Sequence, residues 1–255
     1  MKPLFSIITV TYNAAAVIAP TLVSVKRQTF SDYEYIVVDG SSHDYTLAQV
    51  RSAEISGTVI VSEPDKGLYD AMNKGINLAR GEYLIFLNAG DTFAGDDALS
   101  RLAAKARGGD YDILYGQTQL VDRCGRVLGG RHLAAPERLD ASSFKQGMVV
   151  CHQAFVVRRA IAPQFDLRYR FSADYEWCIR CLQRSKGNGY VGEQPIVSFL
   201  MAVDGTTERN HMKSLRERFS IMCRYYGLMP TVLRHLSFLP RYLREKRRKK
   251  NMMDR

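Results

Sequence analysis

Residues 58–91 read TVIVSEPDKGLYDAMNKGINLARGEYLIFLNAGD, and this stretch decides the fold. Thr58–Val61 is a short β-branched run, and Tyr83–Leu87 is a second apolar run. Between them, Leu68, Met72, Ile76 and Ala79 recur at helical spacing. Strand, helix and strand in so short a stretch make a βαβ crossover, whose two strands lie parallel.

Working outward, the same alternation runs back to the start of the chain. Leu4–Val10 is an apolar run, Ala15–Gln28 has helical spacing, and Tyr33–Val38 is another apolar run followed by a second helical stretch. The N-terminal run is short and gives way to Thr11, Tyr12 and Asn13, so it reads as a buried first strand and not as a secretory leader. Such strands, linked by helices, predict an α/β fold whose mostly parallel sheet is covered on both faces.

Past residue 110 the pattern changes. Ile113–Val121 and Val127–Leu133 read as an antiparallel hairpin around Asp122, Arg123, Cys124 and Gly125. Val149–Val157 and Ile196–Val203 read as strands, and Ala173–Ser185 as a helix. From Glu208 the chain reads as helical to its end, with a break at Met229-Pro230.

Composition narrows the function. The five cysteines are odd in number and scattered, which suits buried thiols in a reducing compartment, and the Cys178/Cys181 pair lacks the further ligands of a zinc site. No apolar window approaches the roughly 18 residues of a membrane-spanning helix. The net charge is +10, and residues 234–255 hold nine Lys and Arg against Glu245 and Asp254. A basic end on a near-neutral body points to an anionic surface. The stretch from Leu228 mixes Leu, Val and Phe with Arg and Lys, the composition of an interfacial segment on anionic lipid, or of a solvated tail behind a packed helix. Nucleic acid is disfavoured, because no stacking platform or recognition motif accompanies the charge.

In an open parallel sheet, ligands bind beyond the carboxyl ends of the strands. The first strand ends in Thr9-Val10-Thr11-Tyr12-Asn13 where a dinucleotide enzyme has a glycine-rich turn, and no phosphate-binding P-loop sequence occurs. Asp39 follows the second run in IVVDGSSHD, where a carboxylate can accept hydrogen bonds from a base or ribose, or can simply open the next helix. Asp91 follows YLIFL, where it can hold a hard cation against a diphosphate or serve as a turn acid. Asp174 and Glu176 in FSADYEWCIR cannot share a helix face, so one acid at most enters a site there, and capping is the alternative for Asp174.

Taken in order, FSIITVTYNAA, YEYIVVDGSSHD, EPDKGLYDAMNKGINLARGEYLIFLNAGD, HQAFVVRR and FSADYEW resemble the inverting family 2 glycosyltransferases of the GT-A fold. The resemblance runs from about Pro3 to Arg184 and is nearest the bacterial branch that builds O-antigen, colanic acid and other surface polysaccharides. It implies a GT-A, Rossmann-like mixed sheet over residues 1–205, with a nucleotide-sugar half to about 110 and an acceptor half beyond, then a helical basic extension over 206–255.

By this resemblance, Thr9, Thr11, Tyr12 and Asp39 surround the nucleoside of a nucleotide-sugar donor, a UDP-sugar by preference. Asp65 and Lys66 lie near the nucleotide, and Asp70, Asn73 and Lys74 line the donor side, where Asn73 and Gly75 can equally shape the helix. Asp91 would hold Mg²⁺ or Mn²⁺ on the diphosphate. His152 and Gln153 would contact the acceptor or the departing diphosphate, although a lone histidine is as readily a hydrogen-bonded core residue. Asp174 would take the acceptor's proton. The resemblance further implies a polyprenyl-diphosphate-linked acceptor and a cytoplasmic enzyme, peripheral on the inner face of the plasma membrane, which the basic C-terminus contacts. One departure stands out. Asn88 and Gly90 occupy positions where the family's metal motif often has acids, which keeps open a catalytically inactive nucleotide-sugar-binding scaffold of the same fold.

Overall fold

β1 (Phe5–Thr11) is buried along its whole length because it lies between two parallel neighbours, β2 (Tyr33–Asp39) and β4 (Tyr83–Phe86). The computed structural model that shows this describes residues 2–201 and 210–236. Register pairs Thr11 with Asp39, so these two residues leave the sheet side by side. β3 (Thr58–Ser62) extends the sheet beyond β2, again parallel, with Asp39 opposite Ser62.

The main sheet has seven strands in the order β10-β6-β9-β4-β1-β2-β3. Only β9 (Phe155–Arg158) runs antiparallel to its neighbours, β4 and β6 (Ile113–Tyr115), and β10 (Asn188–Tyr190) closes the edge parallel to β6. A second, four-stranded sheet has the order β5-β11-β7-β8, from Thr92–Phe93, Val197–Leu200, Thr118–Val121 and Val127–Gly130. This is the mixed, mostly parallel α/β architecture expected.

The helices follow the strands. α1 (Ile18–Lys26), α2 (Thr46–Ser52), α3 (Leu68–Leu78), α4 (Ala98–Arg107) and α5 (Ala173–Arg184) flank the main sheet, and α6 (His211–Tyr226) packs on α5. α3 sits close on β1: a Cβ on Gly75 would lie 2.5 Å from Ile8 Cγ2. Its buried face is Tyr69, Met72, Gly75 and Ile76, so Leu68, expected on that face, is exposed instead. One core cluster runs from Phe5 to Met222, so the two halves on either side of residue 110 share it. Trp177 of α5 anchors the shared part, stacked 4.8 Å from Phe165 and edge-on to Phe86 and Phe155. Cys178 and Cys181 face this core with their thiols pushed up by burial.

Three expected elements are drawn differently. The run Ile113–Val121 is two strands in two sheets, because the chain changes sheet at Gly116 and Gln117, where the Gln117 amide bonds both backbone groups of Ala135. Within Val149–Val157 only the end is strand, after a 3-10 turn at His152–Ala154. The C-terminal break falls at Gly227 (φ +86°), and Pro230 sits in the first turn of the next helical stretch, 228–236, where its missing N–H costs nothing. Among the described residues no helix is long and apolar enough to cross a membrane. Most of the basic extension, from 237 onward, lies outside the described residues.

Candidate active site

The loops leaving β1 and β2 are laced together. Asn13 (φ +47°) accepts from His43 N, its own N–H donates to Ser42 Oγ, and Ala15 N donates to Asp44. Between them, a Cβ on Gly40 would lie 2.5 Å from Asp65 Oδ2 and 3.3 Å from the ring of Tyr12. Tyr12 is well exposed, and with half-buried Asp65 it packs directly over Gly40. An exposed aromatic beside a carboxylate and a glycine offers a stacking face and an acceptor, the two features a nucleobase needs.

Two residues expected around the nucleoside are turned inward. Asp39 is fully buried, and its carboxylate accepts from Ser42 N (2.9 Å), Ser42 Oγ (2.5 Å) and Ser62 Oγ (2.7 Å). Three donors already hold it, and none of the residue is exposed. Thr9 is also fully buried, donating to Leu87 O and accepting from Tyr35, so it ties β1 to its neighbours in the sheet. Thr11 is buried with a hydroxyl that has no hydrogen-bond partner.

The β3–α3 loop holds its own shape. Asp65 accepts from Gly67 N, Asp70 accepts from Lys66 N, and Lys74 donates to Pro64 O and pairs with Glu63. Lys66 is exposed. Asn73 clamps a neighbouring segment through both polar atoms, accepting from Phe165 N at 2.6 Å and donating to Phe165 O at 3.0 Å. It therefore shapes the helix packing, holding the Phe165 backbone against α3.

The second cluster forms where α5 begins. Asp174 lies in its first turn, at the positive end of the helix dipole, with its side chain 17% exposed. Oδ1 accepts from the Tyr69 hydroxyl at 3.0 Å, and Oδ2 faces His152 Nδ1 at 3.4 Å. The other imidazole nitrogen is 3.3 Å from Asn88 Nδ2. A hydrogen on Nδ1 lets the ring donate to Asp174. Burial pushes the Asp174 carboxyl up, but the hydrogen bond and charge of His152, with Arg218 and Tyr69, outweigh it and hold the carboxyl at about 2. Burial, with the Asp174 charge, drives the Tyr69 hydroxyl well up, so it stays a donor. Glu176 turns the other way, to Arg180 and Tyr225, as two acids two residues apart must.

Asp91 lies beside this cluster but is not presented to it. It is 5% exposed; Oδ1 accepts from Leu200 N at 2.9 Å and Oδ2 from Gln153 Nε2 at 2.5 Å. Gln153 is itself buried, and its oxygen accepts from Cys151 Sγ. Burial raises the Asp91 carboxyl to about 6. Asp91 is thus buried with a donor on each oxygen, and among the described residues no group of three His, Cys, Asp or Glu forms a ready-made cation site around it. Gly90 offers no side-chain ligand, and Asn88 Oδ1 is buried without a partner. Gln153, expected at the acceptor, thus serves as the strut that ties the β4 loop to the turn before β9.

Sequence reasoning missed Tyr69 and Arg218. Tyr69 sits one turn before Asn73 on the sheet-facing side of α3, where an aromatic reads as core, and nothing local marks it as a partner of a residue 105 positions away.

Residues 6–164 match the family model described as Glycosyl transferase family 2. A PGL/p-HBAD biosynthesis glycosyltransferase of Mycobacterium bovis is 39% identical over 189 residues, 70% of each chain. The amylovoran biosynthesis glycosyltransferase AmsB of Erwinia amylovora is 30% identical, over 69% of this chain and 63% of that one. Among solved structures, residues 1–349 of S. aureus TarS in complex with UDP-GlcNAc superpose with a TM-score of 0.70 at 18% identity, covering 92% of this chain and 73% of that one.

Proposed function

The chain belongs to glycosyl transferase family 2, and from that membership we propose that it moves a sugar, with inversion, from a nucleotide-diphosphate donor to a hydroxyl of a lipid-linked saccharide. A UDP-sugar is the favoured donor, a surface polysaccharide the favoured product, and an anionic membrane face, reached through the basic C-terminus, the favoured address. The TarS complex with UDP-GlcNAc and the amylovoran relative support this reading of donor and product.

The observation that carries it is the Asp174 carboxylate, kept charged and pinned between Tyr69 and His152 at a helix N-terminus. A carboxylate accepts through about four lone-pair positions, so these two contacts leave room for an incoming hydroxyl. As the acceptor oxygen bonds to the anomeric carbon, its proton passes to Asp174 and the carbon–oxygen bond to the diphosphate breaks, the electron pair leaving with the diphosphate. One displacement inverts the configuration. The exposed Tyr12 ring beside Asp65 receives the nucleoside.

A second reading, donor binding without transfer, draws on the inward turn of Asp91 and the glycine at position 90. A thermal-shift screen of nucleotide sugars identifies the donor, since a ligand bound only by the native state raises the melting temperature. With that donor and a saccharide-lipid acceptor, Asp174→Asn should cost at least about a hundredfold in transfer, the usual weight of a general base, while donor binding holds. Wild-type chain that binds donor but shows no transfer would establish the second reading.

A further inference from the structure

The helical stretch 228–236 is built inside out. Thr231 is buried, and His235 packs edge-on against Phe219, so this polar side faces the protein. Leu228, Met229, Val232, Leu233 and Leu236 are 37–69% exposed. At about 100° per residue these five span roughly 140° of the helix, one continuous apolar face. Single exposed apolar residues are ordinary, but five within nine residues form a patch that asks for a cover.

Beside the patch runs a groove of about 300 Å³ between α6 and the turn at Ala141–Gln146, lined by Met222, Tyr226, Pro230 and Leu233, with Lys145 and Arg234 also on its walls. In the sequence, the same stretch leads directly into residues 241–250, which hold seven Arg and Lys against the single acid Glu245.

We infer that the apolar face of 228–236 is an interfacial docking surface for an anionic lipid bilayer. A bilayer of that kind matches both halves of the feature, hydrocarbon for the leucines and headgroup phosphates for a charge run of one sign. A second copy of the chain matches only the first half, because pairing two such faces would bring two basic runs together. The surface is mechanically joined to the base. α6 bonds α5 through Ser214–Ser172 and Tyr225–Glu176, and Glu217 accepts from the backbone N–H groups of Arg170 and Phe171 just before α5. From Ser214 to Tyr226 the helix is about 18 Å long at 1.5 Å per residue. Docking by this face would set the Asp174 site within reach of a saccharide whose lipid anchor sits in the same membrane.

The inference deepens the membrane address proposed above and rests on it, yet the two fail separately. The full chain is sedimented with phosphatidylcholine vesicles and with vesicles also containing phosphatidylglycerol, alongside Leu233→Glu/Leu236→Glu and the control Val23→Glu, an exposed apolar site on α1. Wild type and control should pellet with the anionic vesicles, and the double variant should bind at least tenfold more weakly with an unchanged melting temperature. Wild-type chain that binds neither vesicle removes the address itself. A double variant that binds like wild type keeps the address, assigns it to the basic run alone, and overturns the docking face. A wild-type dimer by light scattering, lost in the double variant, would assign the face to a second copy and overturn it as well.

Discussion

Replacing His152 by Gln tests whether the imidazole keeps the base charged. In the wild type the Asp174 carboxyl is held at about 2 instead of its ordinary 3.8, a preference for the anion on the order of 2–3 kcal/mol. Burial acts in the opposite direction and is the largest single influence; the groups that face the carboxylate and overcome it are His152, Tyr69 and Arg218, with the neutral thiol of Cys178 nearby. Without His152 the burial remains, so the carboxyl should return to 3.8 or above. A base works only while deprotonated, so activity is lost as pH falls through its pKa. The wild type should therefore hold its transfer rate from pH 7.5 down to about 3. For a return to 3.8 the variant should follow it to about pH 4.5 and fall behind below that, by roughly sixfold at pH 3 and toward a ceiling of about sixtyfold at still lower pH. The assay is release of nucleoside diphosphate with donor and acceptor, recorded as the variant-to-wild-type ratio of kcat/KM at each pH. A ratio that is low but constant across the range would mean that His152 only packs the site, and the electrostatic argument would be wrong.

Asp91 gives a stability prediction of the opposite sign. Its carboxyl rises from 3.8 unfolded to about 6 folded, so the folded state holds that proton more tightly; the gain is full below 3.8 and is lost as pH rises through 6, on the order of 3 kcal/mol. Asp91→Asn should flatten the change in melting temperature between pH 7.5 and 5.5, and an unchanged slope would show that the carboxylate is not buried as described. Mn²⁺ added without nucleotide should leave the melting temperature of wild type and Asp91→Asn alike, whereas a rise in the wild type alone would restore Asp91 as a ligand. Gly75→Ala should destabilise by about 1–3 kcal/mol in urea, because its Cβ meets Ile8 inside a packed helix–sheet contact; a cost near zero would mean that α3 lifts freely.

The fold was legible where periodicity was local. Ala173–Ser185 was expected as a helix and is one over Ala173–Arg184, because its buried positions recur at helical spacing. The change of sheet at Gly116 was not legible, since Ile113–Val121 keeps an apolar pattern through the bend and the cause lies in Ala135, far along the chain. The same limit governs the site. That Asp39, Asp91 and Asp174 stand at the ends of strands or the start of a helix follows from the alternation. Whether each faces a ligand depends on partners such as Ser62, Leu200 and Tyr69, which no local pattern connects to them. Thr9 on β1 and Asn73 on α3 show the outcome most plainly: both polar side chains bond to distant segments of the fold, Leu87 and Phe165.

All three acids have both carboxylate oxygens engaged, and only Asp174 pairs its contacts with partial exposure. The difference follows from the element that carries each. Asp39 and Asp91 end or follow parallel strands, where adjacent loops crowd in and supply backbone and hydroxyl donors. Asp174 begins a helix, whose unpaired N–H groups and dipole favour an anion without enclosing it. Helix α6 then fixes that helix from outside through Glu217 and Tyr225 and adds the charge of Arg218, which with His152 holds the carboxyl low. Position and protonation thus draw on different residues: substituting Tyr225 should disturb the first without moving the second, whereas substituting Arg218 should raise the carboxyl.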